Sequence, residues 1–570
     1  MSHQPAPTDQ KQHSASDNKA AGPAQTAPSA PPRPRIPGLP RRMPLGPRPL
    51  HVKAAYIAVA VIIGLAYGFG FSALSVNIYQ IAGPIGATPA EASWLTAAYL
   101  APNVSLTLFL FKIRLQYGIR KFAEIAIILH LLVSMLGLTV NGLGMALIVE
   151  FFSGIAGAAL TSLTMIYMME TLPPPKKMTI GISLGATMVT LGRPMAGVIS
   201  PYLLDLWGVR GLFMLEIGLS LVAIAAIYIC PLQSPARRKA IEKLDLVSFP
   251  ALAIAMGGFC IFWSVGTTYW WTEASWLGWI VVLSLAASIV FAVVEVNRKT
   301  PFIDIRWLTS REILQFIVAL FLFRIICSEQ TTGAVGFFRQ LGISGDQLVP
   351  FYELIFIASI AAGISCCFIL KIGKQIYVKM FALVLLCIGS WMNSHLTILT
   401  RPEQVYVSQG LIAFASGLFM PAAMSFGMIA AFRKGYDYIM SFICLFITTQ
   451  KIGAMMGSAI FRSFVIVREK YHSHAIVQSL TLNNPDVAHR IQIYGKSVAA
   501  AISDPVQRSA EGVVMLGQAA SQQAYVLAYN DAFLLMACLS ALTFCLLGVE
   551  RLIQLHRARK QTMAAASATA

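Results

Sequence analysis

Ionisable side chains interrupt otherwise apolar stretches of this chain at His130, Glu150, Arg193, Glu216, Arg324, Glu329 and Lys451. A charge surrounded by hydrocarbon costs at least a few kcal/mol unless it is paired or faces a polar cavity, so such residues mark ion and substrate pathways. Glu150, Glu329 and His130 can take up and release a proton, which makes them the candidates for proton coupling. Arg193, Arg324 and Lys451 are candidates for a substrate cavity, with Arg324 and Lys451 the best placed to meet an anionic group. Glu216 and Glu329 lie nearer the ends of their stretches, where a long side chain reaches the interface. At about 1.5 Å per residue, Glu150 and Arg193 fall at one level of a core about 30 Å thick, which predicts that they pair.

The elements that must position these residues are long apolar helices. Fourteen runs of about 20 mostly apolar residues recur, each long enough to cross a bilayer. Their limits are near 54–82, 92–113, 122–141, 144–169, 180–203, 210–230, 246–268, 276–296, 313–338, 351–370, 380–398, 408–431, 438–466 and 528–549. The fifth is rich in Gly and Pro. Gly181, Gly185, Gly192, Ala196 and Ser200 share an arc that lets another helix backbone approach, and Pro194 and Pro201 each remove a backbone donor. Met165, Met168, Met169, Met188 and Met195 form an adaptable apolar patch beside it.

Composition supports this reading. Of 570 residues 56% are hydrophobic and 12% charged, about half the charge of an average soluble protein. The net charge of +18 does not indicate nucleic acid, because the basic residues are spread among short loops between apolar runs. Alternate loops hold nineteen Lys and Arg, against three (Arg210, Arg339 and Arg401) in the short loops between them. That asymmetry predicts both termini in the cytoplasm. The nine cysteines lie in or beside apolar runs without metal-type spacing, so neither disulfides nor a metal site is expected. His472 and His474 lack a third ligand and read as solvated surface.

Residues 1–50 are rich in Pro, Ala, Ser and Gln and read as a disordered cytoplasmic tail. The loop 467–527 is polar and predicted helical and exposed, a candidate docking surface. The basic loop RLQYGIRK around Gly118, between spans two and three, is echoed by LKIGKQIYVK around Gly373, between spans ten and eleven. This spacing predicts two parallel six-span halves with two spans inserted between them.

SWLTAAYL (Ser93 to Leu100), TPFIDIRWL (Thr300 to Leu308), FFRQLGISGDQ (Phe337 to Gln347) and QKIGAMMGSAI (Gln450 to Ile460) resemble the major facilitator superfamily, in its fourteen-span drug:proton antiporter branch of the EmrB/QacA type. QQAYVLAYNDAFLLMA (Gln522 to Ala537) is similar to the subgroup that works with a periplasmic adaptor and an outer-membrane channel. The chain departs from the family pattern at Ser72, where an acid precedes Asn77; at Leu115, where an acid precedes Gly118; at Glu150, where an Arg precedes Gly154; and at Arg193, where a Gly precedes Pro194.

The resemblance implies an all-α polytopic membrane protein with a major facilitator fold of 14 transmembrane helices (6+2+6). The expected divisions are a bundle over 51–230, an insert over 231–300, a bundle over 301–550 and a cytoplasmic tail over 551–570. It further implies a bacterial inner-membrane exporter of amphiphilic small molecules driven by protons, with an adaptor and outer-membrane channel as partners, no cofactor and no enzymatic activity. Tyr99, Phe152 and Asn77 are further cavity candidates, and Gly118, Gly154, Gly181, Gly185, Gly192, Pro194 and Gly197 are candidates for helix packing and gating. The alternatives are an importer or specific-metabolite exporter of the same fold, or a non-transporting scaffold or receptor.

Overall fold

The structure, a computed structural model, describes residues 49–569 apart from 174–175, 234–238, 299–300, 302, 436–437 and 482. The expected N-terminal tail and several basic loop residues, among them Arg237, Arg238 and Lys299, fall outside the described residues. Every described element is helical, and twelve helices are long and apolar enough to cross a membrane. They are α1 (Leu50–Val76), α2 (Pro89–Tyr117), α4 (Leu143–Glu170), α5 (Lys177–Trp207), α6 (Val209–Ile229), α7 (Asp245–Tyr269), α8 (Ser275–Val296), α10 (Val349–Ile369), α11 (Gln375–Asn393), α12 (Tyr406–Lys434), α13 (Tyr438–Ser479) and α14 (Pro505–Thr569). At the positions of the third and ninth predicted spans lie α3 (Ile119–Gly137) and α9, which runs over Arg311–Ser328, a π-turn at Glu329–Ala334, and Val335–Gln340. These two are helical where expected, and the count of fourteen spans rests on them.

Local chemistry sets the boundaries. Thr88 starts α2 with a reciprocal cap: its hydroxyl accepts from the Glu91 amide at 3.2 Å, and the Glu91 carboxylate accepts from the Thr88 amide at 2.8 Å. Gly118 ends α2 at φ +90, a conformation that costs a side chain strain, and Gly373 adopts φ +89 before α11. The two basic loops that echo each other in sequence therefore share a glycine of the same positive φ. Asn77 ends α1 by donating from Nδ2 to the Ala73 carbonyl at 2.7 Å.

Glycine governs how closely the helices pack. A Cβ on Gly154 of α4 would run into the Tyr99 carbonyl and Pro102 of α2, and one on Gly192 of α5 would run into the backbone at Gly68 of α1. Gly181 and Gly185 of α5 lie against Met169 and Met165 of α4, and Gly197 lies against the Tyr352 ring of α10. The expected single small-residue face of α5 is thus divided between two neighbours, α4 for Gly181 and Gly185 and α1 for Gly192, while Gly197, outside that face, meets a third. The division follows from a break at Leu191 between the segments Ile182–Thr190 and Gly192–Trp207. Pro194 sits in the first turn of the second segment, where its missing N–H was not needed.

Helices α1 to α6 pack mainly on one another, as do α9 to α14. Contacts between the two groups run from α5 to α10 and α12, and from α2 to α13. Helix α7 lies along α2 and also touches α13. At one end Trp94 Nε1 donates to the Tyr269 hydroxyl at 3.2 Å, and Trp271 Nε1 donates to Ser463 Oγ at 2.8 Å. At the other end a buried ion network forms: Arg298 reaches Asp245 at 2.7 Å, Glu242 at 2.8 Å and Glu295 at 3.3 Å, while Lys112 of α2 reaches Asp245 at 2.6 Å.

Helices α13 and α14 run well past the expected apolar limits at 466 and 528. Nothing in Arg468–Glu469–Lys470 stops a helix, since all three are good helix formers. Arg468 and His472 both meet Asp531 of α14, at 2.6 and 2.7 Å, and Asn530 holds the Leu396 backbone from both sides, at 2.8 and 3.2 Å. A short helix, Pro485–Ser497, packs on the extension of α14, so the expected exposed loop is a helical hairpin.

Two consequences can be measured on the purified protein in detergent. Replacing Arg298 by Met removes the cation from three carboxylates and should cost on the order of 3 kcal/mol, read as a lower thermal midpoint; an unchanged midpoint would mean that packing alone holds the insert. Gly154→Ala should destabilise by about 1–3 kcal/mol through overpacking. Gly144→Ala on the same helix, where nothing lies within 4 Å of the new Cβ, should be neutral or stabilising; equal effects at both positions would contradict this packing account.

Candidate functional site

The polar run Glu329–Gln330–Thr331–Thr332–Gly333 lies within apolar α9 and forms its π-turn. A π-turn adds one residue to a turn, rotates the side chains that follow and leaves carbonyls in need of donors. Here four consecutive residues reach four other helices. Glu329, fully buried, accepts from Ser390 Oγ and from Asn393 Nδ2 (2.7 Å) of α11, and Ser408 of α12 in turn donates to Asn393 Oδ1 at 2.5 Å. Gln330 Nε2 donates to the Gln409 carbonyl of α12 at 3.1 Å. The Thr331 carbonyl accepts from Arg193 Nη2 of α5 at 2.7 Å. Thr332 Oγ1 donates to Ser458 Oγ of α13 at 2.8 Å. Gly333 leaves room for the Phe461 ring, which an added Cβ would meet at 2.6 Å.

A second polar group lies between α1, α3, α4 and α6. His130, Glu150 and Glu216 are all buried, at 3%, 5% and 4% exposure, so none of them snorkels to an interface. Ser134 Oγ donates to Glu216 Oε2 at 3.1 Å. Gly70 of α1 opens the space between Glu216 and His130, whose nearest atoms lie 3.3 and 3.6 Å from where its Cβ would be. Both ring nitrogens of His130 lack a hydrogen-bond partner among the described residues. Glu150 and Glu216 line a small cavity with Leu95, Phe213 and Gly70, with room for roughly one water molecule.

The expected Glu150–Arg193 pair is not formed. Glu150 faces the cavity inside the first group of helices, and Arg193 crosses to α9. Equal depth did not bring them together because they point in different directions around their helices. Lys451 is also separate from the arginines: its Nζ donates to Asn103 Oδ1 and, at 3.1 Å, to Thr107 Oγ1, both on α2. Arg324, half-buried, makes no hydrogen bond or ion pair with a described residue, and its Nε is buried without a partner.

Three cavity candidates lie elsewhere. Phe152 is 41% exposed on the outer side of α4, two residues from buried Glu150. Tyr99 is buried in a cluster with Leu100, Val104, Cys260 and Met455, and its ring lies 4.8 Å from that of Phe71. Asn77 is committed to the end of α1. Residues not singled out in the sequence include Asn103, which also donates from Nδ2 to the Gly154 carbonyl at 2.9 Å, and Ser390, Asn393 and Ser408 around Glu329. The signal that could have found the π-turn is EQTTG itself, five small or polar residues in a row within a spanning helix.

The Major Facilitator Superfamily model matches residues 60–459, more than half of the chain. No sequence of a curated protein matches it. Among solved structures the chain is similar to the human organic anion transporter MFSD10 (TETRAN), at TM-score 0.52 and 12% identity over 86% of this chain and 99% of that one. It is also similar to a POT family transporter in complex with 5-aminolevulinic acid, at TM-score 0.53 and 12% identity over 87% of this chain and 96% of that one. At such identities these neighbours show the fold alone. The helical architecture, the membrane-spanning lengths and the family match agree: the chain belongs to the major facilitator superfamily and is a multi-pass secondary membrane transporter.

Proposed function

We propose that this transporter exports amphiphilic small molecules across the bacterial inner membrane in exchange for protons, as the fourteen-span drug:proton antiporters do. The bundles over 51–230 and 301–550 rock about their interface, the inserted pair moves with α2, and both termini lie in the cytoplasm. The observation that carries the reading is the position of Glu329: a buried carboxylate that opens the π-turn, two residues before the Thr331 carbonyl that holds Arg193 of the other bundle. Charged, Glu329 accepts two side-chain hydrogen bonds from α11; neutralised by a proton, it is a weaker acceptor and needs an acceptor of its own. The turn then rearranges, and the Arg193–Thr331 contact with it. Proton binding thereby has a different free energy in the two states, which is all that coupling requires.

Glu150, Glu216 and His130 form the second candidate site. Two carboxylates on one small cavity, with His130 beside the same Gly70 that Glu216 faces, suit a proton relay inside the first bundle. The hairpin over 467–527 exposes Val467, Tyr471, Val477, Val506, Val513 and Val514, a surface suited to a periplasmic adaptor leading to an outer-membrane channel.

Uptake of fluorescent amphiphiles into everted membrane vesicles tests the reading. Uptake by the wild type should collapse with the proton gradient, and Glu329→Gln should lower gradient-driven uptake by roughly 5–150-fold, the range of a typical coupling free energy. If Glu329→Gln transports normally and Glu150→Gln does not, the proton site belongs to the first bundle. Uptake indifferent to the gradient in the wild type would overturn proton coupling.

A further inference from the structure

Arg193 and Arg324 are held in an arrangement that protein charges leave unbalanced. Arg193 belongs to α5 of the first bundle and Arg324 to α9 of the second, and each has a buried Nε without a partner. Thr331, which anchors Arg193, follows Arg324 by seven residues on α9, about 10 Å of helix rise between the two backbone positions, and the Arg324 side chain leaves α9 against Gly453 of α13. The charges that act on Arg193 include those of Arg324, Arg339 and Arg462, all cations, of which Arg339 donates to the Val76 carbonyl of α1. The titratable neighbour of Arg324 is the Cys327 thiol. Glu329, the nearest carboxylate on the same helix, is turned to Ser390 and Asn393 of α11. Among the described residues no carboxylate forms an ion pair with either arginine.

Like charges gathered in a low-dielectric interior repel one another, and neither a backbone carbonyl nor a thiol offsets that repulsion. An oxyanion does. Guanidinium groups are suited to it, since their paired donors match the geometry of a carboxylate and they stay charged at every relevant pH. We propose that Arg193 and Arg324 bind the oxyanion of the transported molecule, so that the substrate class is an organic anion with an apolar body. This rests on the transport reading and narrows it. Lys451 is not part of the site, because Asn103 and Thr107 hold it. Arg339 and Arg462, exposed on α9 and α13, extend the positive potential away from the half-buried pair and favour passage of an anion along it. Because the two arginines come from different bundles, an anion between them favours the state in which they are together.

Binding is tested on the purified full-length protein in detergent by titration calorimetry, with 4-tert-butylbenzoate as probe and 4-tert-butylbenzylammonium as its cationic counterpart. Saturable binding of the benzoate and none of the ammonium is expected, with Arg324→Gln weakening the benzoate by roughly 30-fold or more. Arg324→Lys keeps the charge and should lose only part of that affinity. If Arg324→Gln does not give a monodisperse protein, Arg193→Gln makes the same test. Equal binding of both probes, or benzoate binding unchanged in Arg324→Gln and Arg193→Gln, would overturn the proposal. The same probes in vesicles separate the two readings: gradient-driven uptake of the cation alone overturns the anion site and leaves the antiporter, whereas benzoate binding without gradient dependence keeps the site and overturns proton coupling.

Discussion

A polar turn inside a bilayer has to find its partners within the protein, and in this one the Thr331 carbonyl accepts from Arg193 of the opposite bundle. The π-turn that carries it would be costly if its polar groups were left alone. Each of its first four residues is satisfied by a different helix: α11 for Glu329, α12 for Gln330, α5 for Thr331 and α13 for Thr332. The turn is therefore both the least regular part of α9 and among its most highly connected parts. A change in any one of its partners is felt by the others, and one of them is a titratable carboxylate.

Around this hub the helices are held by contacts that leave little slack. Gly154, Gly192 and Gly197 bring α4, α5 and their neighbours within backbone reach, where even a methyl group has no room. Packing of that kind favours rigid bundles that move as units, which is what a rocking transporter needs. The inserted pair α7 and α8 is tied to α2 by buried ions at one end and by tryptophan hydrogen bonds at the other, and the second of these also reaches α13. Both bundles are thus spanned at one end by the same helix.

Much of the architecture was legible in the sequence, because apolar run length and loop charge follow from the bilayer itself. The turn at Gly118 and its counterpart at Gly373 were visible as echoing basic loops, and both adopt the positive φ that only glycine accepts easily. Side-chain pairing was much less legible. Depth along a helix can be counted from a sequence, yet direction around the axis decides who meets whom. Glu150 and Arg193 count to one level in the sequence, yet Glu150 lines a cavity inside its own bundle while Arg193 reaches α9, and Phe152, two residues from buried Glu150, is exposed. The π-turn compounds the difficulty, since one extra residue shifts every later side chain of α9 by about 100° relative to a regular count. The helical character of 467–527 was legible, but not its continuity with α13 and α14, for a different reason: apolarity marks where a helix leaves the membrane and says nothing about where it ends.

The most direct test of the account is whether Glu329 sets the relative position of the two bundles. In a background free of native cysteines, spin labels at Tyr117→Cys and Tyr377→Cys, both 52% exposed and at the ends of α2 and α11, report the distance between bundles by double electron–electron resonance. The account predicts that the distance distribution shifts between alkaline and acidic buffer in the otherwise unaltered protein, and that Glu329→Gln holds the acidic distribution at both. A Glu329→Gln variant that still shifts with pH as the parent does would contradict it.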